Sequence, residues 1–185
     1  MMNLAHEKPG VLNASEKFER DRKALSESQK KHCFARDGTD TKTIFFNSWR
    51  SLALNADDSR VCAGVDATKG ILRAMHFRAS EEQVKFLVVF ILTKESLYAD
   101  TFSQQNNSPE IAVQLNAIRE QERALSLEFK LHAQDNSFAI LDLHDVLLNA
   151  EERVFFSTRD AHLNAYGHSV VATEVARWLI NKQER

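Results

Sequence analysis

Phe86-Leu87-Val88-Val89-Phe90-Ile91 is an unbroken apolar run, extending over Lys85 to Leu92, of the kind a strand has when both faces of its sheet are covered. Helices are therefore expected on either side of it. Ser137 to Leu143 reads as a second buried strand. Between the two, Ser108-Pro109-Glu110 supplies an N-cap, a first-turn proline and an early carboxylate, and Ile111, Leu115, Ile118, Leu125 and Phe129 continue one helical face. A last helix over Ser169 to Ile180 carries Val171, Val175, Trp178 and Leu179 on its inner side. Strand, helix, strand and helix in that order predict an α/β fold with a parallel sheet and right-handed crossovers. In that class sites form beyond the carboxyl ends of the strands. Thr93, Lys94 and Glu95 stand at such an end, where they read either as an exposed turn with a Lys-Glu pair or as a lip of a substrate cleft.

Upstream, Thr43-Ile44-Phe45-Phe46 is a candidate short strand. Asp57, Asp58 and Ser59 then offer caps for a helix with Val61, Val65, Thr68, Leu72 and Met75 on one face, a stripe read as core. Gly64 and Gly70 each cost that helix about 1 kcal/mol relative to alanine. Residues 1–40 differ in character: Glu16-Lys17-Phe18-Glu19-Arg20-Asp21-Arg22-Lys23 is a mixed charge run. This part is expected to be a charged helical or linker segment before a domain over 41–185. Phe18 and Leu25 could form only a thin apolar seam on a largely solvated helix.

With 43% hydrophobic residues in 185, one domain can bury a real core. A formal net charge of −2 provides no basic face for phosphate neutralisation, which argues against nucleic acid as a partner. Cys33 and Cys62 have neither metal-ligand spacing nor a disulfide framework around them and read as thiols. No run is apolar enough for a membrane span and no signal peptide is recognised, so the compartment stays open. Asp142-Leu143-His144-Asp145 carries a metal-like set of donors but reads better as a strand end capping a short helix over Val146 to Ala150. No metal or organic cofactor is expected.

The chemistry concentrates in Arg159-Asp160-Ala161-His162-Leu163-Asn164-Ala165-Tyr166-Gly167-His168. In an extended segment Asp160 and His162 point the same way, so the carboxylate can fix the ring's tautomer and stabilise its imidazolium form. Asn164 shares their parity, Gly167 permits a tight turn, and the cluster precedes a helix N-terminus, which favours anionic partners. His162 is the candidate base and Asp160 its orienter; His168 reads as a residue packing at the helix start.

This block resembles the carboxyl-terminal motif of the SGNH, or GDSL-type, hydrolase superfamily, in which an Asp and a His shortly after it complete a Ser-His-Asp triad. Phe86 to Tyr98, with Thr93-Lys94-Glu95 after the strand and an aromatic at Tyr98, is similar to bacterial members related to alginate O-acetylation proteins. Leu92 stands where their proline is expected. Ala139 to Leu143 and Phe155 to Asp160 extend the likeness, which covers roughly residues 40 to 182. It implies a three-layer α/β/α flavodoxin-like fold, incomplete at the N-terminus, and ester hydrolysis or O-acyl transfer on small acyl esters or acetylated carbohydrate. Asp160 and His162 would be catalytic, with Lys94, Glu95 and Asn164 contacting substrate.

One residue, rather than the commoner two, separates Asp160 from His162, and no Gly-Asp-Ser block is present. Ser48 and Ser51 lie near a β-like run but lack the small residues and helix start of a nucleophile elbow, and read as turn positions beside a buried Trp49. Ser15 has no better claim. A missing N-terminal half or partner chain would account for the gap. The alternative is a truncated or degenerate non-catalytic module that binds carbohydrate or protein.

Overall fold

The computed structural model describes residues 13–35, 42–105, 108–158 and 160–181. Parts of the predicted N-terminal segment, 1–12 and 36–40, and Arg159 of the Asp-His block lie outside them. The element order is α1 (Ala14–Lys23), α2 (Glu27–Lys30), β1 (Cys33–Ala35), β2 (Lys42–Ile44), α3 (Asn47–Ala53), α4 (Ser59–Glu81), β3 (Leu87–Phe90), α5 (Lys94–Gln104), α6 (Pro109–Asp135), β4 (Ala139–Asp142), α7 (His144–Leu148) and α8 (Ala165–Asn181). β3 and β4 pair in parallel with Leu87 opposite Ala139 and Phe90 opposite Asp142, which makes the chain α/β as its strand and helix periods require. No helix among the described residues is long and apolar enough to cross a membrane.

Both strands of the parallel pair are entered in the same way. α4 and α6 each end in a left-handed residue that is not glycine, Gln83 at φ 56° and Ser137 at φ 60°. Val84 N–H then donates to Ala79 O at 2.8 Å and Phe138 N–H to Ala133 O at 3.1 Å, closing two Schellman motifs that turn each chain end onto its strand. α6 begins with Pro109 at its first turn as predicted, although Ser108 makes no side-chain cap bond.

The core gathers around α5, whose Leu97, Ala99 and Phe102 are buried against Ile111 and Leu115 of α6, Leu143 and Leu147 at α7, and Val154, Phe155 and Leu163. Phe34 of β1 inserts between Phe45, Tyr98 and Phe102 with ring centroids 5.8 Å away in each case. Phe45 and Phe102 meet edge-to-face, an arrangement that adds to plain area burial. Ile111, Leu115, Ile118 and Phe129 are buried along α6 as the sequence period predicts.

The sequence expectations and the structure part company at several elements. Residues 13–35 dock: Phe18 and Leu25 are buried with Ile44, and β1 pairs antiparallel with β2 across the expected boundary. Lys42 holds Ser15 by a 2.8 Å hydrogen bond and lies over the Phe18 ring, so α1 packs on the hairpin. Trp49, expected in the core, is 74% exposed because α3 turns it outward. The stripe on α4 is only partly covered: Val61, Val65 and Leu72 are half-buried while Thr68 and Met75 are exposed. Polar ties hold α4 to α6, with Lys69 paired to Glu128 and His132 bonded to Lys69 O, and a groove of about 210 Å³ remains between these helices and the end of α3. Leu87 to Phe90 are half-buried rather than sealed on both faces, since among the described residues the parallel sheet has two strands. Leu179 on α8, expected on its inner side, is exposed.

Candidate active site

After β4 and α7 the chain returns as Val154-Phe155 and pairs with Leu163 in an isolated antiparallel bridge. Phe156 N–H donates to His162 O at 3.2 Å and Asn164 N–H to Val154 O at 2.9 Å, so residues 156–162 form a loop pinned at its base. Asn164 secures the base again. Its side-chain amide donates to Arg153 O at 2.6 Å and Phe155 O at 3.2 Å, and its carbonyl accepts from Gly167 N–H at 2.8 Å as the N-cap of α8. The residue expected to meet substrate thus spends its polar groups on backbone. Gly167, expected to permit a tight turn, sits in the first turn of α8, where its lack of a Cβ admits the Val154 backbone. His168 is exposed in that turn, its N–H on Asn164 O.

The loop presents the Asp-His pair. Asp160 Oδ1 accepts from the His162 backbone N–H at 2.9 Å and from the His162 Nδ1 at 2.5 Å. The pairing arises from an Asx-type turn rather than from the alternation of an extended strand, and the turn brings the ring over its own carboxylate. An ionised carboxylate only accepts, so Nδ1 carries the proton and Nε2 is left with a lone pair when the ring is neutral. Hydrogen bonds from His162, backbone first and then ring, hold the Asp160 carboxyl below its ordinary value. The His162 side chain is 86% exposed and its Nε2 bonds to no described residue.

Lys94 and Glu95 stand beneath this loop at the N-terminus of α5, where Thr93 caps the helix by accepting from Ser96 N–H at 3.3 Å. The exposed turn, one reading of this pair, is not what is found: both are 0% exposed. The Lys94 ammonium donates to Thr158 O at 3.0 Å and Asp160 O at 3.1 Å. Burial lowers its pKa to about 8; the negative charges of Glu95 and Asp160 act the other way, and Arg50 adds to the lowering. Glu95 accepts from Phe46 N–H at 2.8 Å and lies 3.6 Å from Arg50 Nε, tying α3 to α5. These two neighbours therefore tie the helix start to the Asp-His loop and to α3, with the Lys94 ammonium also 5.8 Å from the Phe46 ring centroid.

Other polar groups here were not visible from sequence. Glu122 of α6 is buried under the β3–α5 turn and accepts from Thr93 N–H at 3.2 Å; burial pushes its carboxyl up. Buried Asn47 accepts from His32 Nδ1 at 2.7 Å and donates to Gln114 at 2.9 Å. Ser157 of the loop donates to Ala14 O at 2.8 Å, so α1 also steadies it. None of these follows a spacing rule, because each partner is brought in by packing from far along the chain.

Ser48 and Ser51 lie in α3, Ser48 exposed and Ser51 half-buried, and no serine hydroxyl among the described residues bonds the His162 ring. The Asp142-His144-Asp145 cluster lines a cleft of about 270 Å³ past the end of β4. There Asp142 is taken by Ser126 at 2.7 Å, Lys130 at 2.5 Å and His144 N–H at 2.9 Å, as a strand-end cap. Among the described residues no group of three metal-ligating side chains is assembled.

The geometry defines an α/β protein carrying an exposed, carboxylate-oriented imidazole on a braced loop beside the carboxyl end of β3. The chain matches no family model, no curated protein and no solved structure.

Proposed function

We propose that Asp160 and His162 are the general acid-base half of a Ser-His-Asp acyl-transfer site in a three-layer SGNH-like fold. The reaction would be ester hydrolysis or O-acyl transfer on small acyl esters or acetylated carbohydrate. The observation that carries this reading is the 2.5 Å Nδ1 to Oδ1 contact on a ring whose opposite nitrogen faces outward. In that tautomer Nε2 can take the proton of an attacking hydroxyl and return it to the leaving alkoxide, while Asp160 stabilises the imidazolium between the two steps. The parallel β3–β4 pair and the position of the loop near the strand ends support the same class.

A second reading has its own support: among the described residues no serine bonds the ring, so the chain would act as a non-catalytic module that binds carbohydrate or protein. Incubation of the full chain with p-nitrophenyl acetate and with a fluorophosphonate probe separates the two. Hydrolysis together with a labelled serine, both lost in His162→Ala, supports the enzyme. A folded protein that neither turns over nor labels supports the module.

A further inference from the structure

We propose that Lys94 is a positioning residue that clamps the backbone of the Asp160–His162 loop and thereby sets the geometry of the pair. The catalytic meaning of this clamp rests on the acyl-transfer reading, but the clamp itself does not.

Asp160 and His162 are poorly held by their own packing, with side chains 45% and 86% exposed. Exposed side chains on a loop ordinarily exchange rotamers on the ps–ns scale, and a contact between two of them is a weak constraint. What the pair does have is a fixed backbone. Lys94 Nζ reaches the carbonyls on both sides of residue 159, Thr158 O at 3.0 Å and Asp160 O at 3.1 Å. Its own stem is confined, because the residue is fully buried at the start of α5, between capping Thr93 and braced Glu95. Fixing the Asp160 carbonyl fixes the Cα from which the carboxylate reaches the imidazole.

A buried ammonium is an expensive way to hold two neutral carbonyls. Its desolvation is only partly offset by Glu95 and Asp160, and Arg50 works against it. An apolar residue in its place would leave both carbonyls without this donor, whereas the three N–H groups of an ammonium can serve two acceptors at once. The device trades stability for a defined loop conformation, as pre-organised sites do. It also accounts for a lysine at a strand end that touches no solvent.

The test is nuclear magnetic resonance on the isotopically labelled full chain, which needs no substrate. In the wild type the Lys94 ammonium protons should exchange slowly and show cross-relaxation to Thr158 and Asp160, and the His162 ring should carry its proton on Nδ1. In Lys94→Met the ring should distribute between tautomers and amide exchange over 160–163 should rise about tenfold or more. Lys94→Arg, which keeps charge and donors, should recover the Nδ1 tautomer at least in part. A folded Lys94→Met protein with wild-type tautomer and exchange overturns the proposal. If that variant does not fold, the wild-type spectrum decides: a Lys94 ammonium in fast exchange, without contacts to the loop, overturns it equally. Failure of p-nitrophenyl acetate turnover with the clamp intact would count against acyl transfer alone.

Discussion

Gly167 lies so close to Val154 that a Cβ at position 167 would stand 2.2 Å from the Val154 carbonyl oxygen and 3.1 Å from a Leu163 methyl. The first turn of α8 is thus pressed onto the strand-like base of the Asp-His loop, and Asn164 N–H bonds the same Val154 carbonyl. Gly167→Ala should gain about 1 kcal/mol in helix propensity and lose more to the clash, because a backbone oxygen cannot step aside. The expected net result is a loss of up to about 2 kcal/mol in urea unfolding, an overpacking cost of about 1–3 kcal/mol less the propensity gain. An unchanged or higher midpoint would refute the close approach.

The two members of the site should respond differently to substitution. If the chain hydrolyses p-nitrophenyl acetate, His162→Ala removes the base and should abolish turnover. Asp160→Asn keeps the shape but can no longer enforce the tautomer, and should lower kcat by roughly a thousandfold or more. Circular dichroism should be unchanged in both, since the two side chains lie outside the core.

Asn164→Ala removes the N-cap of α8 and two further bonds to the loop base at Arg153 and Phe155. A lost cap costs about 1 kcal/mol and the two lost bonds to the loop base add to it, so denaturant unfolding should show a loss of about 1–3 kcal/mol. A loss below 0.5 kcal/mol (roughly the scale of a surface substitution) would mean that Asn164 is not the anchor described.

Glu122 predicts a pH dependence. Its carboxyl is raised by burial, so between its unfolded and folded pKa values the native state holds more protons than the unfolded chain. The contribution is therefore most favourable at low pH and is lost as pH rises through the folded value. Glu122→Gln keeps an acceptor for Thr93 N–H and removes that penalty. The variant should gain on the wild type at pH 7, with the difference shrinking as pH falls toward 4. A constant difference across that range would show that Glu122 does not titrate abnormally.

Gln83 and Ser137 hold left-handed conformations at the ends of α4 and α6, where a side chain costs about 1 kcal/mol or more. Replacing either by glycine relieves that strain at the expense of extra freedom in the unfolded chain. Thermal unfolding should show a small gain, about 0.5 kcal/mol for each single substitution and roughly additive in the double variant.

Much of the scaffold was readable from local pattern. The proline opening of α6 and most of its buried face appear where expected, and the strands expected over Lys85 to Leu92 and Ser137 to Leu143 appear within those bounds, shortened to Leu87–Phe90 and Ala139–Asp142, because each signal is local. The Asp160–His162 contact was also readable, two residues apart on one loop, though the turn that makes it is not the extended geometry anticipated. What escaped were the long-range pairs: Phe18 with Ile44, Phe34 among Phe45, Tyr98 and Phe102, Ser157 with Ala14. No spacing rule joins residues that lie outside one turn, helix or strand.

Composition and periodicity were enough to establish an α/β chain with an imidazole beside a carboxylate, because helix and strand periods and a two-residue separation are local properties of the backbone. The burial of Lys94 and Glu95, the use of Asn164 as an anchor and the outward turn of Trp49 depended on tertiary packing. Solvent exposure and hydrogen-bond partners are set by what the rest of the chain brings to a position, and a Lys-Glu pair at a strand end has the same local pattern whether it meets water or two backbone carbonyls.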